Sequence, residues 1–281
     1  SRTVSCNYKK PTRPLNILKA FSLTFLSIVV YYIPQAILVF LVKKTDWNID
    51  LFNPNLELLW SLSSVIAYLL VFYLFWRPKP HYSNILDING IDFKLFPYLL
   101  IIAIGYGFVG QPFWDYNRLM DYFQSSNFEP SPRAFHGFFL EYAYRCIKML
   151  IIAPIFEELF FRKFLFSKLL EKYKFNIAII ISSLCFSAIH FETPSNLIPS
   201  LIFGLISALI YFKTKKISYS ICLHFIINLS TILSNTHGET YYGWLDGLKY
   251  DLVYWALFVF GILITVLGVK KITTANNTYN S

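Results

Sequence analysis

The sequence predicts an all-α, polytopic membrane protein of about eight transmembrane helices arranged around a polar cavity. Three observations predict it. Hydrophobic residues make up 56% of the chain and charged residues only 15%, where soluble domains carry about 25% charge. The apolar residues fall in long runs, and about 20 residues suffice to cross a bilayer. The lysines and arginines gather between those runs, dense in one set of connections and sparse in the other. That asymmetry is the pattern of loops facing opposite sides of a membrane.

The elements follow in order. Residues 1–14, with Arg2, Lys9, Lys10 and Arg13, form a basic cytoplasmic leader. Residues 15–42 are almost wholly apolar, longer than the core of a cleaved signal peptide, and make the first span. A polar loop with Pro54 leads to the second span, 56–76, which Arg77, Pro78, Lys79 and Pro80 stop. The third span covers 95–110. Its Gly105, Gly107 and Gly110 have GxGxxG spacing but follow no strand, so they predict close helix packing, not a dinucleotide site. Residues 111–132, with Asp115, Asp121, Glu129, Pro130 and Pro132, read as a loop with a short interfacial helix. These segments together make an N-terminal region, 15–134.

A helical core, 135–234, comes next. Glu141, Arg145 and Lys148 share one face of its first helix, and the back half of that helix, 149–170, enters the membrane after a kink at Pro154. Spans at 175–190, 197–212 and 217–234 complete the core. The final region, 235–281, holds a polar loop at 235–250, a last span at 251–269, and Lys270 and Lys271. With the N-terminus inside, the inner connections carry Lys168, Lys172, Lys174, Lys213, Lys215 and Lys216, while the outer ones hold only scattered cations such as Arg118 and Lys249. The expected localisation is therefore the cell membrane, multi-pass, with both termini cytoplasmic.

The net charge of +9 is distributed as basic loops beside anionic membrane lipid, so no nucleic-acid partner is expected. Cys6, Cys146, Cys185 and Cys222 contain no CxxC pair and read as small buried hydrophobes.

Chemistry concentrates in Ala153-Pro154-Ile155-Phe156-Glu157-Glu158-Leu159-Phe160-Phe161-Arg162. Ionisable groups in such an apolar run are functional or tightly paired. Glu158 and Arg162 stand at i and i+4 and can pair. Glu157 lies about 100° round the helix and is left to point into the bundle. Phe186-Ser187-Ala188-Ile189-His190 ends the next helix, and His224-Phe225-Ile226-Ile227-Asn228 puts His and Asn on one face of a later one. Measured from the turn near 173–174, Glu157 and His190 are each about 16 residues away, roughly 25 Å along their helices. His224 and Asn228 lie roughly 14 and 20 Å beyond the turn near 214–215. All four can therefore reach one buried layer. Taken singly, each has a structural reading: an ion pair locking two turns, a satisfied core histidine, an interhelical hydrogen bond.

Glu-Glu-x-x-x-Arg, Phe-x-x-x-His and His-x-x-x-Asn, in this order on successive helices, resemble the CPBP family. That family comprises the type II CAAX prenyl proteases and bacterial relatives associated with bacteriocin processing and immunity. The resemblance covers about 150–234. It departs from the family where Lys163 follows Arg162 and where Lys215 follows Thr214, since glycine is common at both places. It implies a membrane-embedded endopeptidase acting on a peptide or lipidated protein. Glu157 would activate a water with help from His190, His224 and Asn228 would hold the oxyanion, and Glu158 and Arg162 would support them. The family has been described both as metal-independent and as zinc-dependent. No cofactor is expected here, and if zinc were bound, Glu157, His190 and His224 would be its ligands. The alternative is a non-enzymatic scaffold or immunity protein that binds a peptide or a partner membrane protein. A transporter is disfavoured, because no inverted repeat is present.

Overall fold

The computed structural model describes residues 15–44, 54–75, 85–88, 91–125 and 140–275. The basic leader, the Arg77–Pro80 stop, Glu129, Pro130, Pro132 and Cys6 lie outside the described residues, as does the Glu141 side chain. The described residues are helical apart from short connections, and none forms a strand.

The helices are α1 (Ile17–Lys44), α2 (Pro54–Phe75), α3 (Phe96–Trp114), α4 (Tyr116–Ser125), α5 (140–170), α6 (Phe175–Ala188), α7 (Leu197–Thr214), α8 (Ile217–His237), α9 (Glu239–Gly247) and α10 (Leu252–Ala275). Among the described residues, six helical segments are long and apolar enough to span a bilayer. The other two spans expected from the sequence correspond to α5 and α6. At 14 residues, α6 is about 21 Å long, short of the roughly 30 Å hydrocarbon core. The back half of α5 carries Glu157, Glu158, Arg162 and Lys163. Large side chains such as Phe25, Phe40, Leu62, Leu263 and Leu267 face outward from α1, α2 and α10. In water they would be a liability, but in lipid they match the solvent.

α5 and α8 pack together in the middle, with the α1–α2 pair on one side and the α3–α10 pair on the other. The glycines explain how closely the second pair approaches. A Cβ on Gly105 would lie 2.7 Å from the Gly261 carbonyl oxygen and press on Thr265, and one on Gly261 would lie 2.7 Å from the Gly105 carbonyl. Gly107, two residues on, has nothing within 4 Å. Close packing is thus the role of Gly105 in the GxGxxG stretch. Gly105→Ala is expected to lower thermal stability in detergent by about 1–3 kcal/mol through overpacking. Gly107→Ala should leave it unchanged or raise it, because alanine is the better helix former by about 1 kcal/mol. Equal melting temperatures for the two variants would contradict this account.

α5 is not regular. It starts as Leu140–Ile147, widens into π-helical turns at Lys148–Ile152 and Leu159–Phe166 on either side of Ala153–Glu158, and ends with Ser167–Leu170. The Ala153 N–H reaches back to the Lys148 carbonyl, five residues away. Pro154 supplies the cause, since it has no N–H to donate and its ring crowds the carbonyl four residues back. The disturbance expected at Pro154 therefore takes the form of a π-turn.

Both departures from the family pattern have a structural counterpart. Lys163 donates to the Ile85 carbonyl and to Asp87 Oδ2, each at 2.7 Å, and so ties the 85–88 segment to α5. Lys215 ends α7 in the left-handed region at φ 55°, where glycine is favoured. Its ammonium sits 4.2 Å from the Phe212 ring centroid, which offsets part of that strain.

The segment 235–250 differs from the loop expected. α8 runs on to His237, Gly238 breaks it, and α9 follows. Leu245 of α9 is buried with Leu119, Tyr250 and Tyr254 in a small second core, and this tertiary packing makes a polar stretch helical. Arg118 of α4 clamps the region by donating to Asp246 at 2.8 Å and Asp115 at 2.6 Å. Burial alone would lower the pKa of Arg118, but the two carboxylates outweigh it and the net shift is upward.

Candidate active site

Glu157 and Glu158 are both buried, yet their surroundings differ in kind. Glu158 and Arg162 are fully buried and paired, with Arg162 Nε donating to Glu158 Oε2 at 3.1 Å. The Ser207 hydroxyl on α7 donates to the same oxygen and accepts from Arg162 Nε. The guanidinium lies over the Phe186 ring at 4.6 Å. Its Nη1 and Nη2 make no hydrogen bond among the described residues, so the aromatic face is its main neighbour there.

The other oxygen of Glu158, Oε1, accepts from His224 Nδ1 at 3.2 Å. That contact fixes the imidazole and turns Nε2 towards Glu157, 3.9 Å from Oε2. Phe203, 4.8 Å away between centroids, packs on the same ring. The buried pair thus serves as the footing for His224.

Glu157 carries no such load. Tyr68 of α2 donates to its Oε1 at 2.7 Å, with the phenol stacked on Phe156 at 5.2 Å. Its Oε2 is buried and makes no hydrogen bond among the described residues. A buried acceptor left open is costly in a purely structural setting. The division expected from the helix geometry, one carboxylate held and the other directed into the bundle, is what the structure contains.

Glu157, His190, His224 and Asn228 all line one cavity of about 950 Å³ between α3, α5, α7 and α8. The cavity extends past Gln111, Asp115 and Arg118 to Tyr241 and Tyr242, at the end of the bundle away from the 171–174 and 214–216 turns. His190 Nδ1 donates to the Phe186 carbonyl at 3.1 Å, which in the neutral ring leaves Nε2 as the acceptor. Asn228 donates one amide hydrogen to the Met149 carbonyl at 2.6 Å. Met149 belongs to the first π-turn, where a carbonyl is displaced from the regular ladder. The second Asn228 amide hydrogen remains for another acceptor.

Tyr68 and Ser207 were not singled out by the sequence. Both sit in apolar helices far along the chain from the carboxylates they bind, and no local pattern marks them. For a zinc ion the fit is poor. Among the described residues no three His, Cys, Asp or Glu side chains are grouped to hold a metal.

Comparison with known proteins points to the same segment. Residues 139–230 match the family described as "Type II CAAX prenyl endopeptidase Rce1-like". A Bacillus subtilis (strain 168) protein named "Putative membrane peptidase YdiL" is 30% identical over 109 residues, which is 39% of this chain. The chain spans 44% of that relative's length. No solved structure gives a significant match. The match takes in every motif residue from Glu157 to Asn228, so the similarity of this chain to the CAAX prenyl endopeptidase family lies in its helical core.

Proposed function

We infer that the protein is an intramembrane endopeptidase that hydrolyses a peptide bond of a membrane-associated peptide or lipidated protein. The observation that carries this is the open Oε2 of Glu157, buried and without a hydrogen bond among the described residues at the wall of a cavity of about 950 Å³. A site in a bundle that spends a carboxylate this way is using it for chemistry.

In this reading Glu157 Oε2 takes a proton from a water that His190 Nε2 helps to orient. The water oxygen bonds to the carbonyl carbon, and the carbonyl π electrons move onto oxygen. His224, held at Nδ1 by Glu158, presents an Nε2–H to that oxyanion in its doubly protonated form, and Asn228 offers its second amide hydrogen. Collapse of the intermediate breaks the C–N bond while Glu157 returns its proton to the leaving amine. Tyr68 holds Oε1 so that Oε2 faces the reaction. No step draws on a metal. On the orientation that the basic loops favour, both termini are cytoplasmic and the cavity opens to the outer side.

Purified protein in detergent should cleave members of a quenched-fluorescent peptide library that includes prenylated CAAX peptides. Cleavage should disappear in His224→Ala and persist with a zinc chelator. Loss of wild-type cleavage on chelation would replace the glutamate mechanism with a metal one. No cleavage of any peptide by wild type would move the protein to the scaffold or immunity class.

A further inference from the structure

A second cavity, of about 190 Å³, lies behind Glu157 and His190 on the side away from the large one. α1, α2, α5 and the end of α6 line it, and one side is open. Its walls are mainly aromatic and aliphatic, with Ile28, Tyr31, Phe72, Phe156 and Phe160 among them. Glu157 and His190 line both cavities, so the proposed reaction centre is the partition between a polar chamber and an aromatic pocket. The pocket mouth is marked by Glu192, which is exposed and whose carboxylate hydrogen-bonds Tyr32.

The size of the pocket limits its occupant. An apolar cavity of about 150 Å³ accommodates one benzene. A pocket of 190 Å³ therefore takes a single aromatic ring or a branched aliphatic chain. A fifteen-carbon isoprenoid has roughly two and a half times the carbon of benzene, so it exceeds this volume and would have to extend out through the mouth. Burying a ring here removes apolar surface from the polar chamber and keeps the attached backbone carbonyl at the partition, within reach of Glu157.

We propose that this pocket is a specificity subsite for one bulky apolar side chain, aromatic or branched aliphatic, on the residue next to the scissile bond. The inference rests on the endopeptidase reading and narrows its substrate to peptides selected by such a residue, not by a prenyl group. Ile28 of α1 is the residue to vary, because it lines the pocket, is half-buried, and stands outside the catalytic set.

The test compares kcat/KM for one cleaved peptide whose residue beside the cut is changed among Gly, Ala, Leu, Phe and S-farnesyl-cysteine. Wild type should favour Phe or Leu over Gly by about a hundredfold. Ile28→Trp, which fills the pocket, should lower the Phe peptide by about tenfold or more and leave the Gly and Ala peptides within about twofold. Ile28→Ala should shift the preference towards the larger side chain. A preference unchanged in both variants overturns the subsite, as does a wild-type preference for S-farnesyl-cysteine that Ile28→Trp abolishes. If wild type cleaves nothing, the endopeptidase reading itself falls and takes the subsite with it. Cleavage with no dependence on this residue removes the subsite alone.

Discussion

Glu157→Gln should reduce peptide cleavage by about 10²–10⁴-fold, the range that loss of a general base produces. The amide is nearly isosteric and keeps an oxygen for the Tyr68 hydroxyl, so folding is expected to survive. The pairing of Glu158 with Arg162, Ser207 and His224 is untouched. The measurement is the single-turnover rate on the best library peptide, alongside the melting temperature of the same preparation. Tyr68→Phe is the informative companion. It keeps the carboxylate and loses the 2.7 Å contact that orients it, so it should fall between wild type and Glu157→Gln. If Glu157→Gln retains more than about a tenth of the wild-type rate, the carboxylate is not the base.

Arg162→Met should be the most damaging change to the fold. It strands a fully buried carboxylate with only His224 and Ser207 beside it, and breaking one partner of a buried ion pair costs about 3–5 kcal/mol. The variant is expected to lose monodisperse protein on mild heating in detergent. Glu158→Met/Arg162→Met removes both charges and should recover part of that loss, because no uncompensated charge remains. A double variant as unstable as the sum of its singles would mean that the two residues do not act as a pair. The two predictions separate the neighbouring glutamates by expected outcome: loss of rate on changing Glu157, and loss of stability on breaking the Glu158–Arg162 pair beneath His224.

Much of this was legible beforehand because helical rise is fixed. At about 1.5 Å per residue, counting back from the turns placed Glu157, His190, His224 and Asn228 at matching depths, and all four line one cavity. The Glu158–Arg162 pair follows from its spacing in the same way. The partners supplied by other helices were not legible. The partnership of Tyr68 with Glu157 depends on α2 packing against α5, and that of Ser207 with Glu158 on α7 doing so. Neither a tyrosine nor a serine in an apolar helix announces its partner. The helix at Glu239–Gly247 was hidden for a related reason. Its composition is that of a loop, and only the contact of Leu245 with Leu119, Tyr250 and Tyr254 gives it a face to bury.

The π-turn before Pro154 makes α5 a helix with a built-in insertion. One residue more than a regular helix needs has been admitted between Lys148 and Ile152, and each residue turns everything downstream by about 100°. The bearing of Glu157 is therefore a matter of counting as well as of chemistry. A chain that lost this single position would keep every motif letter intact while Glu158 swung towards the direction Glu157 now holds. For this architecture a gap in the reading of residues 148–152 is a graver event than most substitutions within them. Two homologues with identical motifs but a different tally of residues there would present their carboxylates to different helices.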